Sequence, residues 1–492
     1  QNSDTESDNM AIGYNAMITN TAGGIRNVAV GNYALDALTS GDYNVAIGYG
    51  AAGALTTGGS NTAVGDGAMS GAAVTGDYNT AIGLNAMDAL TGGSNNTSVG
   101  QNALGAVTTG GDNTAIGKNS MLIDTTGGSN TAIGIYSLRQ NLGGHNNVAV
   151  GQSALLNNTT ADYNLAVGYN AAYNNTTGTR NISIGAFAYE NSDTENDNVA
   201  IGYEAMHTDT AGGTKNVAVG NYALDELTSG DDNTAVGYGA LGKLTSGIRN
   251  VGIGIYAGQF ITSGVDNVCI VGGPALTTGE KNVMIGKQCG NNTQGGLRNT
   301  LMGYGAGFNV TSGDNNLIIG FEAGQGGSPG GAISTANNTI VLGDENIANA
   351  HIQVDWTVAS DKRDKTDVEP VKMGLDFVNK LEPVTYQWDK RSLYIDKDAP
   401  RHNKVDLNDV VPDGTHKEDW RDVGFLAQDV EKLEEEYGHK MSDKTNLTTT
   451  LSGDEKQYGL TYTKFIPILT KAIQELSAQN ADLLARIETL EG

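Results

Sequence analysis

The chain of 492 residues holds only two cysteines, Cys269 and Cys289, too few for a disulfide framework. Proline is almost as scarce, at 7, and aromatic residues make up 6%. So few large rings leave little for three ordinary globular cores, although length alone suggests three domains of about 150 residues. No apolar run approaches the ~20 residues of a membrane span, which excludes a helical membrane protein. Charged residues are 17%, below the globular average, which excludes a high-charge disordered chain. Basic residues number 29 against 55 acidic ones, for a net charge of −26. An acidic surface of that size repels nucleic acid and anionic lipid, so neither is expected as a partner. The excess is uneven, with 10 basic against 28 acidic residues in 1–359 and 19 against 27 in 360–492. Starting at Gln1 without an initiator Met or a signal peptide, the chain reads as a mature, processed or truncated product.

Glycine is abundant instead, at 69 residues, about twice the usual share and without the three-residue period of collagen. Its spacing belongs to a longer repeat. The motif Asn-x-Ala-(Val/Ile)-Gly starts at Asn9, Asn27, Asn44, Asn61, Asn79, Asn96, Asn113, Asn130, Asn147 and Asn164. It resumes at Asn181, Asn198, Asn216, Asn233, Asn250, Asn267, Asn282, Asn299, Asn316 and, degenerate, Asn338. Of the 19 gaps, 14 are 17 residues and 3 are 18, while the irregular 15 and 22 come after Asn267 and Asn316. A longer copy, SDTESDNMAIGYNAM at Ser3 and SDTENDNVAIGYEAM at Ser192, marks growth by duplication.

Seventeen residues suit one solenoid coil of two short strands and two turns. The first strand is the motif itself, as in Asn44–Gly48, and the second centres on an Ala-(Leu/Met) pair such as Ala34-Leu35 or Ala103-Leu104. The fixed Gly suits a corner that needs positive φ, and the fixed Asn suits a left-handed turn or a stacked amide ladder. At ~4.8 Å per coil, about twenty coils predict a rod of about 95 Å. Both faces of the first strand are apolar, the mark of burial on both sides. One narrow roll has only one inside, so the second face is expected to pack against another chain in a homo-oligomer. Met284, Leu301 and Ile318 replace the third-position Ala and predict wider coils toward the C-terminus. Cys269 and Cys289 occupy alanine positions and read as small core fillers.

These repeats resemble the head of trimeric autotransporter adhesins, a left-handed parallel β-roll of Asn-x-x-Ala-(Val/Ile)-Gly-x-x-Ala repeats. The resemblance covers roughly residues 9–343, with a longer coil here. It ends with the repeats, because no amphipathic strands form a membrane-anchor barrel at the C-terminus as they do in those adhesins.

Composition changes near Ile347, glycine falling from 62 in residues 1–359 to 7 in residues 360–492. Lys372–Leu381 and Gln428–Glu436 read as helices, Val384–Trp388 as a strand, and Asp396–Glu418 as a polar excursion loop. The last segment is a helix whose seam runs Ile466, Leu469, Ile473, Leu476, Asn480, Leu483, Ile487 and Leu490. Ile or Asn at a with Leu at d usually prefers two strands, and a lone buried Asn480 would fix register. The β-roll resemblance implies three, and three is preferred because the roll is much larger than the seam. The fold class is therefore mainly β. A parallel β-roll solenoid of about twenty 17-residue coils fills 1–345, and a linker spans 346–359. A small α+β domain over 360–465 and a C-terminal coiled-coil helix over 466–492 complete it.

Four ordered blocks come after the linker. They are Ser360-Asp361-Lys362-Arg363-Asp364-Lys365, then Leu381-Glu382-Pro383-Val384-x-Tyr386-x-Trp388, then Gly424-Phe425-Leu426-Ala427-Gln428-Asp429-Val430-Glu431, then Tyr458-Gly459-Leu460-x-Tyr462-x-Lys464-Phe465-Ile466-Pro467. In that order they resemble the self-cleaving intramolecular chaperone domain at the C-terminus of phage tailspikes, endosialidases and tail fibres. The resemblance implies a trimeric module that assembles a β-rich fibre and then releases itself by autoproteolysis, with its dyad on Ser360 and Lys365. The residues allow that chemistry. A serine hydroxyl needs a base to remove its proton, and a lysine serves where burial keeps it neutral. Ser360 would attack the carbonyl of Ala359, giving an ester that water resolves, so the break falls between Ala359 and Ser360. Asp361 and Arg363 are expected to position the turn. Taken alone, SDKRDK reads as a charged linker; the downstream blocks reverse that reading.

Other sites are weaker. The six histidines, His145, His207, His351, His402, His416 and His439, lack ligand spacing, so no metal is expected, and no cofactor. The calcium-roll signature is missing, no Asp/Glu pair stands out as a glycosidase site, and an irregular Thr pattern excludes ice binding. Turn pairs such as Asp42-Tyr43, Asp77-Tyr78 and Asp162-Tyr163 offer a ring beside a carboxylate for sugars, but most such turns are solvated corners. The expectation is a homotrimeric bacteriophage tail fibre located in the virion tail. Its partners would be itself, a host cell-surface receptor such as a glycan, and an upstream tail or baseplate protein, without membrane insertion. The alternative is a trimeric adhesin on a bacterial cell surface with a permanent C-terminal cap.

Overall fold

The computed structural model describes every residue outside 1–7, 20–22, 209–211, 274, 327, 329, 348–349, 352, 354–357, 396–405 and 453–454. The start of the long copy at Ser3, part of the 346–359 linker, His402 and the first ten residues of the expected excursion loop lie outside the described residues. Compactness divides the chain within the repeats. One unit comprises Gln1–Gln288 with Asn292–Leu297, and the other Cys289–Asn291 with Arg298–Gly492. The compositional break near Ile347 falls inside the second unit.

In the first unit, each motif forms one three-residue strand, from β1 (Met10–Ile12) to β17 (Val283–Ile285). Neighbouring strands pair in parallel and in register, Ala29 opposite Ala46 and Ala46 opposite Ala63. The third-position Ala points inward and is buried in coil after coil, while the residues on either side face out. The motif Gly makes the corner: Gly48 sits at φ +142°, and a Cβ there would lie 2.3 Å from the Gly65 carbonyl oxygen of the next coil. Only glycine allows that approach.

Among the described residues, the expected second strand is absent from the coils. Two residues of that segment take left-handed angles with one residue between them, as Tyr33 (φ +62°) and Leu35 (φ +51°) do. A strand needs consecutive extended residues, so the segment becomes a run of turns. It still buries its Ala-Leu pair and bonds the next coil, Leu35 N–H donating to the Ala51 carbonyl at 3.1 Å. Of the two roles open to the motif Asn, the structure uses the ladder. Asn44 accepts from the Asn61 N–H at 2.9 Å and donates to the Gly58 carbonyl at 3.0 Å. The left-handed angle belongs to the residue before it, such as Tyr43 (φ +58°).

The late coils do not need extra width for their larger third residue, because the volume is exchanged across the core. Early coils pair Ala29 with Leu35 and Ala81 with Met87. In the second unit β18 (Thr300–Met302) and β19 (Leu317–Ile319) carry buried Leu301 and Ile318, and the residues facing them are Gly307 and Gly324. A Cβ on Gly307 would lie 2.8 Å from Leu301 Cδ2. Met284, in the first unit, reaches within 3.0 Å of where a Gly273 Cβ would be. Cys269 and Cys289 are buried as expected, Cys289 Sγ donating to the Leu301 carbonyl at 3.0 Å. A last strand, β20 (Ile340–Leu342), ends the repeats.

One stretch of core is polar, which the repeat did not announce. Eleven residues after the motif Asn stand Leu38, Leu55, Leu90 and Val107, all buried, then Asp124, Asn141, Asn158, Asn175 and Ser192, also buried. Asn141 donates to Asp124 at 3.0 Å, Asn158 to Asn141 at 2.8 Å, and Asn175 to Asn158 at 3.2 Å. The ladder stops there. Ser192 donates within its own coil to the Tyr189 carbonyl at 3.0 Å, leaving Asn175 Oδ1 unmatched among the described residues.

Burial pushes the Asp124 carboxyl up to about 6, against weaker opposing hydrogen bonds from Asn141 and Gly127 and the charge of His145. Because the folded-state value exceeds the unfolded one, folding gains a proton-linked contribution as pH falls from about 6 toward 4 and loses it as pH rises. Asp124→Asn should therefore stabilise these coils at pH 7, by up to about 3 kcal/mol, and flatten their response between pH 4 and 7. Hydrogen exchange of the coils around Asp124 at both pH values reads this out; unchanged protection would refute it.

The second unit ends in a small domain. Strand β21 (Val384–Tyr386) pairs antiparallel with β22 (Asp422–Gly424), and β23 (Thr449–Leu451) with β24 (Tyr458–Leu460). Helices α1 (Leu375–Lys380), α2 (Ala427–Glu436) and α3 (Phe465–Glu491) bury Met373, Phe377, Val430, Leu433, Phe465 and Ile468 in one core. The first helix is shorter than Lys372–Leu381 because Gly374 is non-helical and packs against Glu475 of α3. The Glu475 carboxylate accepts from the Leu375 N–H at 2.7 Å, capping the α1 N-terminus from another helix.

Candidate functional site

Ser360 to Lys365 form a short exposed turn. Asp361 caps the single helical turn Lys362–Asp364 by accepting the Arg363 N–H at 2.9 Å. The same carboxylate holds the Arg363 guanidinium at 2.6 Å, and this partner keeps the Asp361 carboxyl below the usual range. The turn closes with the Lys365 N–H on the Lys362 carbonyl at 3.3 Å. Its consequence is a contact five residues apart: Lys365 Nζ donates to Ser360 Oγ at 2.6 Å. Asp361 and Arg363 thus build the turn, while Ser360 and Lys365 meet, next to an exposed Ala359.

Helix α3 carries the second group of residues singled out in the sequence. Pro467 stands in its first turn, where a missing N–H costs nothing. Phe465, Ile468 and Ala472 face the domain core. The heptad residues Ile473, Leu476, Leu483 and Ile487 face away, Ile473 at 67% exposure and Leu476 at 45%. Asn480 is exposed in the same stretch, and no residue of the helix beyond Glu475 is buried. The helix therefore has one face committed to its own chain and a long apolar seam that its own chain leaves open. The solenoid repeats this. Outward strand residues such as Ile47, Ile82, Ile133 and Ile253 form an exposed aliphatic row.

Glu434 is the buried residue that the motif search passed over. It is fully buried in α2, and its carboxylate accepts from the Thr448 N–H at 2.6 Å and from the Thr448 hydroxyl at 2.7 Å. The Thr449 hydroxyl donates to its other oxygen at 2.5 Å. Its place was legible: Val430, Leu433 and Glu434 share one helical face, so the acid interrupts an apolar stripe. It ties α2 to β23. Among the described residues, no group of three His, Cys, Asp or Glu side chains could hold a metal ion, and no helix is long and apolar enough to cross a membrane.

A long parallel β-solenoid, then a small domain opening on a Ser–Lys turn and closing on a helix with an open apolar seam, fits a fibre of the tailspike and endosialidase type with an intramolecular chaperone. Residues 360–439 match the family described as chaperone of endosialidase. No curated protein matches the chain.

Proposed function

We propose that this chain is a homotrimeric bacteriophage tail fibre for host-surface attachment, whose C-terminal domain drives assembly and then cuts itself away. The observation that carries the reading is that the family match begins at Ser360, the residue whose hydroxyl Lys365 already touches. The outward aliphatic row of the coils and the open α3 seam each need a partner surface, and three copies side by side supply both.

Register gives the chaperone its purpose. A solenoid displaced by one coil of 17 residues meets nearly the same neighbours, so long repeats align poorly by themselves. A C-terminal clamp that sets register first removes that degeneracy.

The exposure of the dyad supports cleavage after assembly. In one chain Lys365 Nζ donates to Ser360 Oγ, with both residues exposed. Burial by partner chains favours the neutral amine, which then accepts the Ser360 proton. Ser360 Oγ attacks the Ala359 carbonyl carbon, Lys365 returns the proton to the nitrogen as the C–N bond to Ser360 breaks, and the nitrogen leaves as the Ser360 amine. Water hydrolyses the resulting ester, freeing the Ala359 carboxylate and regenerating the hydroxyl. Release of the clamp makes assembly kinetically irreversible.

Denatured intact mass tests this directly. Wild type should break between Ala359 and Ser360, while Ser360→Ala and Lys365→Ala stay full length, at least 100-fold slower to cut. A full-length wild type would leave the domain a permanent trimerisation cap.

A further inference from the structure

Six successive coils of the first unit carry an aromatic ring at one corner: Tyr169, Phe187, Tyr203, Tyr222, Tyr238 and Tyr256. Their centroids are 5.2 to 5.9 Å apart, and every neighbouring pair meets edge to face. The rings alternate in origin. They come from the fifth and then the sixth residue after the motif Asn, so the stripe repeats every two coils. Four of the six remain 39–45% exposed, with the hydroxyls of five tyrosines along the row.

This stripe differs from the aliphatic strand row in its distribution. The fourth motif residue, which faces out, is Val, Ile, Leu or Met along the whole array, as a contact shared by every coil requires. The corner also carries rings at Tyr14, Tyr33 and Tyr49, at Tyr136, and at Tyr304 and Phe321. In other coils its fifth position is Asp66, Leu84, Gln101, Lys118, Gln152 or Lys287, and the run from Tyr169 to Tyr256 is the longest. Uniform subunit packing does not need such a local change. A ligand site does.

We propose that the stripe from Tyr169 to Tyr256 binds a linear, uncharged, β-1,4-linked polysaccharide; this rests on the surface-attachment reading above and names its ligand class. Sugar rings present C–H faces that stack on aromatic faces, while tyrosine hydroxyls serve the equatorial hydroxyl groups. An extended chain of this linkage advances about one sugar per coil spacing of ~4.8 Å and turns each sugar over relative to the last. That matches the two-coil alternation of the rings. Residues 164–256 hold 10 acidic against 4 basic residues, a field that disfavours a polyanionic chain.

The test is calorimetric titration of the intact chain with β-1,4-linked hexasaccharides of glucose and of N-acetylglucosamine, and with polygalacturonate. Oligomeric state is followed by native mass spectrometry. The wild type should bind a neutral hexasaccharide and not polygalacturonate. The double variant Tyr203→Ser, Tyr238→Ser should bind at least tenfold more weakly while remaining a trimer, and Leu84→Ser, at the same corner of a coil that carries no ring, should bind as wild type. Absence of binding to either hexasaccharide, equal binding by the double variant, or loss of its trimer would each overturn the proposal, the last by making the stripe a subunit contact. A wild-type trimer that binds neither sugar sinks the stripe alone, whereas a wild-type monomer sinks the fibre reading itself.

Discussion

A chain carrying Ile473→Ser and Leu476→Ser should fail to trimerise while its C-terminal domain stays folded. Both side chains are exposed in the single chain and sit at a and d positions of α3. Neither belongs to the core formed by Met373, Phe377, Val430, Leu433, Phe465 and Ile468. Burying an aliphatic side chain of this size is worth roughly 1.5–3 kcal/mol. Two positions in three chains therefore remove on the order of 10 kcal/mol from assembly and almost nothing from the monomer. Ile468→Ser is the contrast, since Ile468 is buried in its own domain and its loss should unfold that domain first. Native mass spectrometry reads the oligomer, and hydrogen exchange in α1 and α2 reads the domain. Trimers of the double variant with wild-type stability would show that α3 is not the clamp.

Replacing Asn147 by alanine should open the solenoid locally, at a cost of about 1–3 kcal/mol. Its side chain accepts the Asn164 N–H at 2.9 Å and donates to the Ala161 carbonyl at 2.7 Å, and all three groups are buried. Alanine strands the Asn164 N–H, worth about 1–3 kcal/mol, while the Ala161 carbonyl keeps a second donor, the Asn158 amide at 3.2 Å. Coils in a solenoid touch only their neighbours, so the damage should stay within a coil or two. Hydrogen exchange should show the Asn164 amide and the strand Leu165–Val167 losing at least 30-fold protection, with Val45–Ile47 unchanged. Asn102→Ala should cost under about 1 kcal/mol, because Asn102 is only partly buried and its bond to Asn119 joins two side chains that water can serve. Equal losses at Asn147 and Asn102 would mean that the motif amides hold nothing special.

Much of this architecture was legible because it repeats. The coil length, the parallel register, the buried third residue, the glycine corner and the extent of α3 all come from spacing and periodicity. The second strand was misread since Ala-Leu pairs are apolar in turns and strands alike, and nothing in Tyr33 or Leu35 announces a left-handed angle. The polar core escaped for a related reason. Asp124, Asn141, Asn158 and Asn175 look like ordinary turn residues until the coil is closed, and only then does the eleventh position prove to face inward. At the candidate site, the residues could be named from their motif. The contact between Ser360 and Lys365 needed the cap that Asp361 and Arg363 build. Glu434 needed its helix face to be set beside the threonines of a strand fourteen residues away.

The exchange of volume across the coil core has a genetic consequence. Most early coils place Ala against Leu or Met, with Ala46 and Ala52 or Ser183 and Tyr189 among the exceptions, and late coils place Leu or Ile against Gly. The two kinds are complementary within themselves and mismatched with each other. A crossover inside an early coil that joined its strand to a late corner would set Ala opposite Gly, leaving a void. The reciprocal product would set Leu opposite Leu and overfill the same space. Unequal recombination can therefore lengthen or shorten the shaft freely within the early block, whereas its last coils resist being shuffled. Length is thus free to vary in one part of the array and held constant in the other.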